Sequence, residues 1–144
     1  MGSRRDSREL ALQALYLNDT CGMPIEEALK TVTTKPALPA VLEFTQHLIM
    51  GVFEKKEFID QTLIKYTENW ELNRMSTIDR NILRISTLEL LTDVNTPVSV
   101  IIDEAIEIAK NFSTKDSGKF VNGILDKVKQ EREQPGEALP QTEQ

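Results

Sequence analysis

Two phenylalanines and three lysines surround a short polar segment near the end of the chain. Phe112 and Phe120 flank this segment, with Lys110, Lys115 and Lys119 among them. Aromatic rings stack on unpaired bases and ammonium groups contact phosphates, so these residue types at this spacing suit single-stranded RNA. Aromatic residues at helical spacing are more often part of a hydrophobic core. Both interpretations of the two rings are therefore open at this point.

A second basic cluster opens the chain at Arg4, Arg5 and Arg8. On a helix these side chains share an arc of about 100°, on a side away from the predicted apolar stripe. Guanidinium groups bind phosphates and stack on bases. We therefore expect three arginines that are free of the core and point the same way. A solvated helix start is the alternative, although three cations in a first turn oppose the helix dipole.

The charge distribution favours an acidic body with two basic patches. The net charge is −6, but residues 4–8 and residues 110–119 each hold three cations against one aspartate. Such a body binds RNA locally, repels it elsewhere and can offer an acidic face to a basic protein. Asp103, Glu104 and Glu107 are expected to form a solvated acidic face. We expect the two basic regions to meet in one RNA-facing surface.

Composition argues against several other classes of protein. The single cysteine forms no internal disulfide, which favours a reducing cytoplasm. No stretch approaches the roughly 20 apolar residues of a membrane span, and the basic start differs from a secretory signal. With one histidine, His47, and no glycine-rich phosphate loop, we expect no catalytic residues, metal or cofactor.

The apolar periodicity predicts an all-α fold of about seven helices, four of them in the first half of the chain. The first covers residues 3–18, the second begins at Pro24 and ends near residue 33, and two more lie within residues 40–66, with a break near residues 51–56. The inward stripe of the first helix is expected to contain Leu10, Ala14, Leu17 and Cys21, with Ala11 beside it.

A capping box predicts where the central helix begins. Ser76 and Asp79 have its spacing, and apolar residues continue at helical intervals to about residue 92. The next helix is expected to start at Pro97, with Thr96 as its cap. The helix that begins after Ser76 has a broad apolar arc, so we expect it to be the central helix of the fold.

The last predicted helix follows a loop at residues 113–116. Asp116 is expected to cap its N-terminus, and Lys119 lies in its first turn, where backbone N–H groups favour an anion. Gly123 is expected to permit close helix packing. Residues 131–144 are polar and acidic with two prolines, which predicts a disordered tail.

Three segments together resemble the NusB family of bacterial transcription antitermination factors. They are RRDSRELALQALY, DRNILRISTLELL, and PVSVIIDEAIEIAKNF followed by DSGKFVNGILDK, whereas residues 22–70 match only in helical pattern. The resemblance implies two packed helical bundles that form one compact domain over residues 1–130. It also implies a non-catalytic adaptor that binds the boxA element of nascent ribosomal RNA with ribosomal protein NusE, and reaches RNA polymerase with other Nus factors.

The resemblance also assigns roles to individual residues. It implies RNA contacts at Arg4, Arg5, Arg8, Phe112, Asp116, Lys119 and Phe120. It implies NusE contacts at Tyr16 and Asp79. Three positions depart from the family pattern: Asp6 weakens phosphate attraction, Ser113 constrains the loop if a positive φ is needed there, and Lys115 adds positive charge.

Two other functions remain open from the sequence. NusB-like domains also guide ribosomal RNA cytosine methyltransferases to RNA, although these 144 residues leave no room for a cofactor-binding domain. A pure protein–protein adaptor with incidental arginines is the second alternative. The resemblance to NusB also leaves open that the free protein hides its RNA surface in a homodimer.

Overall fold

Eight α-helices account for most of the part of the chain that the computed structural model describes, residues 3–67 and 72–133. Seven of them have eight or more residues, and no strand occurs within the described ranges. The helices are α1 Ser3–Cys21, α2 Ile25–Val32, α3 Pro39–Glu54, α4 Lys56–Thr67, α5 Thr77–Thr92, α6 Val98–Phe112, α7 Lys115–Val128 and α8 Gln130–Glu133, with a 3₁₀ turn at Leu72–Arg74. The predicted all-α fold is confirmed. None of the helices described is long and apolar enough to cross a membrane.

The helices form two packed bundles that share α5. Helices α1, α2 and α3 pack together, while α4, α6 and α7 surround α5, and α1 lies along α5 to join the two bundles. Nearly every residue of α5 from Asp79 to Leu91 is buried. The predicted central helix is therefore confirmed, and it carries residues that contact almost every other element.

Close packing depends on Gly51 rather than on the predicted Gly123. A Cβ atom at Gly51 would lie 2.7 Å from Cδ2 of Leu88, so the missing side chain lets α3 approach α5. A Cβ atom at Gly123 would meet nothing within 4 Å. The prediction for Gly123 was wrong because a glycine inside a helix does not reveal which side of that helix is covered.

The buried face of α1 differs from the predicted stripe. Leu10 and Leu17 are only partly buried and Cys21 is exposed. Ala14 of the predicted stripe and Ala11 beside it are buried as expected, and the buried face continues through Ser7, Arg8, Leu12 and Leu15. The buried arc includes polar positions with their own partners, such as Ser7, whose Oγ donates to the carbonyl oxygen of Val41 at 2.8 Å. Hydrophobicity alone therefore did not mark this face.

One predicted helix cap is confirmed and another is wrong. The side chain of Ser76 accepts a hydrogen bond from the Asp79 N–H at 3.1 Å, as the capping box predicts. Pro97 occupies the N-cap position of α6, and Thr96 Oγ1 donates to Asp93 Oδ2 at 2.7 Å instead of capping that helix. Proline already supplies the extended backbone at this cap.

The predicted start of the disordered tail is also wrong. Residues 131–133 belong to α8, where Glu131 is buried and accepts hydrogen bonds from Lys65 and Tyr66. The Arg132 side chain donates to main-chain carbonyl oxygens at and just beyond the C-terminal end of α5, those of Glu89, Leu90, Asp93 and Thr96. The last carbonyl groups of a helix need hydrogen-bond donors from outside that helix. Arg132 supplies these donors to α5, and this keeps the charged segment ordered. The rest of the predicted tail, residues 134–144, lies outside the described residues.

Candidate nucleic-acid interface

Arg8 is buried, contrary to the expectation that all three arginines are free of the core. Its Nε and Nη2 atoms each donate to a carboxylate oxygen of Glu89 at 2.8 Å. Arg8 is 6% exposed and Glu89 is 3% exposed. Burial lowers the pKa of Arg8, but the hydrogen bonds and charge of Glu89 outweigh it and the pKa is raised overall. A helical projection of α1 cannot reveal this partner, which lies on α5.

Arg5 is held by Glu104 in the same two-pronged geometry, nearer the surface. Arg5 Nε lies 2.8 Å from Glu104 Oε1, and Arg5 Nη2 lies 2.7 Å from Oε2. The hydrogen bond from Arg5 is the largest cause of the lowered pKa of Glu104. The predicted solvated acidic face is therefore wrong at Glu104, whereas Asp103 and Glu107 are exposed as expected.

Arg4 is the most exposed of the three arginines, with 59% of its side chain accessible. Its guanidinium carbon lies 3.8 Å from the centroid of the Phe44 ring. The ring of His47 stacks on Phe44 at a centroid distance of 5.8 Å. The sequence analysis did not anticipate this stack, since neither ring lies near Arg4 in the chain. We call Arg4, Arg5 and Arg8 with Glu89 and Glu104 the arginine end.

The second basic region is the α6–α7 corner, residues 112–120. Its loop is shorter than predicted, because α7 already begins at Lys115. Thr114 caps α7, with its side chain accepting from the Ser117 N–H at 3.1 Å. The predicted cap, Asp116, lies inside the first turn and is exposed. Ser113 has a φ of −138°, so this position needs no glycine.

At the α6–α7 corner the charged side chains are exposed to solvent, whereas the two phenylalanines are only partly exposed. Lys115, Asp116 and Lys119 are exposed. Phe112 and Phe120 are partly buried and pack against the hydrophobic core, so each ring has a buried and an accessible portion. The RNA contacts implied for Phe112, Asp116, Lys119 and Phe120 remain a prediction.

Asp79 lies beneath this corner and not at the surface. It is 8% exposed, and its Oδ2 accepts a hydrogen bond from Ser117 Oγ at 3.2 Å. Ser117 Oγ also lies 2.8 Å from Ser113 Oγ. Asp79 Oδ1 is buried without a hydrogen-bond partner among the described residues, which is costly for a carboxylate. The NusE contact that the resemblance implies at Asp79 stays a prediction, for a residue that is buried in this arrangement.

Tyr16 lies at the same end of α5 as Asp79. Its side chain is exposed, as expected, with 37% of the residue accessible. One turn later in α1, Asp19 Oδ2 accepts hydrogen bonds from Arg80 and Asn81, which follow Asp79 directly. Burial raises the pKa of Asp19, but these hydrogen bonds outweigh it and the pKa is lowered. Of the two residues assigned to a protein partner, Asp79 contacts the α6–α7 corner through Ser117, and Tyr16 lies on α1 near the same end of α5.

The two basic regions do not form one cluster. The arginine end is attached to α5 at Glu89, and the corner is attached at Asp79. These positions are ten residues apart, which corresponds to about 15 Å along a helix. The two basic regions are thus two patches anchored at different points of α5, and their meeting in one RNA-facing surface stays a prediction.

Several residues that shape these patches escaped the sequence analysis. Glu89 and Ser117 hold Arg8 and Asp79 in place, and Glu104 holds Arg5. Glu89 did carry a signal, because a glutamate between Leu88 and Leu90 in an otherwise buried helix requires a cation as its partner. Nothing in the sequence indicated the role of Ser117.

Comparison with known proteins identifies relatives over almost the whole described fold. The model of the NusB family matches residues 5–130. The chain is 47% identical over 137 residues to the transcription antitermination protein NusB of Elusimicrobium minutum, covering 92% of this chain and 96% of that protein. It is 41% identical over 130 residues to the NusB protein of Salinibacter ruber, covering 89% and 81% respectively.

Solved structures give the same result. The structure of T. maritima NusB superposes with a TM-score of 0.82 at 40% identity, covering 88% of this chain and 90% of that one. A crystal structure of the antitermination factors NusB and NusE in complex with dsRNA matches with a TM-score of 0.81 at 24% identity, covering 89% and 96%. The latter likeness supports the fold alone. The curated relatives bear the name of an antitermination factor, which is a non-catalytic class of protein.

Proposed function

The chain belongs to the NusB family of transcription antitermination proteins, and we propose that it binds the boxA element of nascent ribosomal RNA together with ribosomal protein NusE. The observation that carries this proposal is the family match over residues 5–130, which includes both basic patches apart from Arg4. In this proposal the protein works in the cytoplasm as an adaptor that reaches RNA polymerase indirectly, through other Nus factors.

The α6–α7 corner is proposed as the main RNA contact. Lys119 is exposed in the second turn of α7, because the helix begins at Lys115 and not after Asp116 as predicted, and the helix dipole at this end adds to its attraction for a phosphate. The accessible portions of Phe112 and Phe120 offer surfaces on which unpaired bases stack. Asp116, exposed beside them, can accept a hydrogen bond from a base edge while it repels phosphates.

The arginine end is proposed as a second contact in which the three arginines act differently. Arg4 is exposed enough to meet a phosphate or a base directly. Arg5 must leave Glu104 to do so. Arg8 acts through its pairing with Glu89, which fixes α1 against α5 and so positions the other two.

The NusE contact is proposed at the corner end of α5. Tyr16 offers an exposed ring and hydroxyl group to a protein. Asp79 supports this region from below through Ser117. Because RNA and NusE would then meet at adjacent surfaces, each can strengthen binding of the other. We further propose that the free protein, without RNA or NusE, forms a homodimer that covers these surfaces. Sedimentation at several protein concentrations tests this.

A binding titration tests the proposed function. Fluorescence anisotropy would compare a boxA RNA with a scrambled RNA of equal length, each with and without NusE. We expect a preference for boxA with NusE present, and a slope of log K against log salt of about −2 to −3.5 for 3–5 phosphate contacts. Lys119→Ala should make that slope shallower by about 0.7.

The matched control is Lys30→Ala, which removes an exposed lysine from α2 in the N-terminal bundle and should leave the slope unchanged. Equal affinity of the NusE complex for boxA and scrambled RNA would overturn the proposal. In that case, NusE binding without any RNA affinity would identify a pure protein–protein adaptor.

A further inference from the structure

We propose that Glu104 is an internal competitor of RNA for Arg5 and thereby sets the affinity of the arginine end. The inference rests on the proposed RNA binding and extends it to a residue that has no assigned role. It starts from the geometry of the pair, in which Arg5 Nε and Nη2 donate to the two oxygens of one carboxylate at 2.8 and 2.7 Å.

A phosphate group would use the same two donors. Carboxylates and phosphates both bind guanidinium through two parallel N–H···O hydrogen bonds, so Glu104 occupies the position that a phosphate needs on this edge of Arg5. RNA must therefore displace Glu104 before it can make this contact. The displaced carboxylate remains nearby as a negative charge, which adds to the cost.

The pair lies where such an exchange can take place. The Arg5 side chain is 33% exposed and that of Glu104 is 21% exposed. The pair of Arg8 and Glu89, by contrast, is closed to solvent. An anion from solution can thus reach Arg5 but not Arg8.

Glu89 is the main partner of the buried Arg8, and Glu104 is a secondary one. Arg8 already donates twice to Glu89, and its Nη1 lies 3.7 Å from Glu104 Oε1, beyond hydrogen-bonding distance. Replacing the Glu104 carboxylate with an amide therefore leaves the buried ion pair intact. This makes Glu104→Gln an informative variant, and urea unfolding would confirm that it is folded.

The test compares Glu104→Gln with Asp103→Asn, using the NusE complex and a boxA RNA. Both variants remove one negative charge from neighbouring positions of α6, but Asp103 is exposed and has no hydrogen bond or ion pair within the described ranges. Glu104→Gln should raise affinity about two- to fivefold, the strength of a partly exposed ion pair. Asp103→Asn should change it less, because only the through-space repulsion is lost.

Adding Arg5→Ala completes the double-mutant cycle. In the Glu104→Gln background, Arg5→Ala should remove the gain. Equal effects of Glu104→Gln and Asp103→Asn would overturn the inference, as would weaker binding by Glu104→Gln, which would mean that Glu104 orients Arg5 for RNA.

A failure of the proposed function gives a different pattern. If the wild-type complex has no preference for boxA, the proposed function itself is wrong. If boxA binding is normal but Arg5→Ala has no effect in either background, only the role of Arg5 is wrong. Should Glu104→Gln unfold, Glu104→Asp keeps the charge and shortens its reach, and is expected to raise affinity by a smaller factor.

Discussion

The arginine end and the α6–α7 corner contain similar numbers of cations, but the fold uses them differently. At the arginine end, Arg5 and Arg8 are each bound by a carboxylate. At the corner, Lys115 and Lys119 are exposed. A cluster of basic residues in the sequence therefore does not by itself form a basic surface in the fold. Such a cluster forms a basic surface only where no acidic side chain from another part of the chain already pairs with it.

The largest expected difference between the two regions is in stability. Arg8→Ala leaves Glu89 as an uncompensated buried charge, which typically costs about 3–5 kcal/mol in the free energy of unfolding. Arg4→Ala, the matched control one turn earlier, loses an exposed ring contact and an exposed ion pair with Asp93 at 3.9 Å, together worth about 1 kcal/mol. Urea denaturation followed by circular dichroism measures both. Equal losses for the two variants would contradict the structural role of Arg8.

A smaller effect distinguishes the two possible caps of α7. Thr114→Ala removes the hydrogen bond to the Ser117 N–H and should cost about 1 kcal/mol in unfolding free energy. Asp116→Ala loses only a favourable charge near the helix dipole, an effect that about 1 M salt screens. Unfolding at low and high salt separates them, because the Thr114 loss should persist. A larger, salt-independent loss for Asp116→Ala would restore Asp116 as the cap.

The sequence was sufficient for the seven longer helices and for some of the local signals within them. The Ser76 cap, the break between α3 and α4, and the exposed Tyr16 depend on residues within a few positions of one another. Such contacts follow from periodicity and capping chemistry. The resemblance to NusB added the family, which the comparisons confirm.

Features formed between distant segments were not predictable in the same way. Arg8 and Glu89 are 81 residues apart, and Arg5 and Glu104 are 99 residues apart. A helical projection assigns such arginines to the polar side, because it contains no information about the facing helix. Gly51 shows the same limit, since its need for a hydrogen side chain arises only where Leu88 of α5 meets α3.

The separation of the two patches along α5 is tested most directly by varying the length of the RNA. About 15 Å along α5 corresponds to about four or five nucleotides of a stacked strand, at roughly 3.4 Å of helix axis each, and to fewer nucleotides of an extended strand. Affinities of the NusE complex would be measured for boxA-derived RNAs of about 3 and about 12 nucleotides, with Lys119→Ala and Arg4→Ala. We expect either substitution to weaken the long RNA, and only Lys119→Ala to weaken the short one. Equal weakening of the short RNA by both substitutions would mean that the patches converge, which contradicts the account.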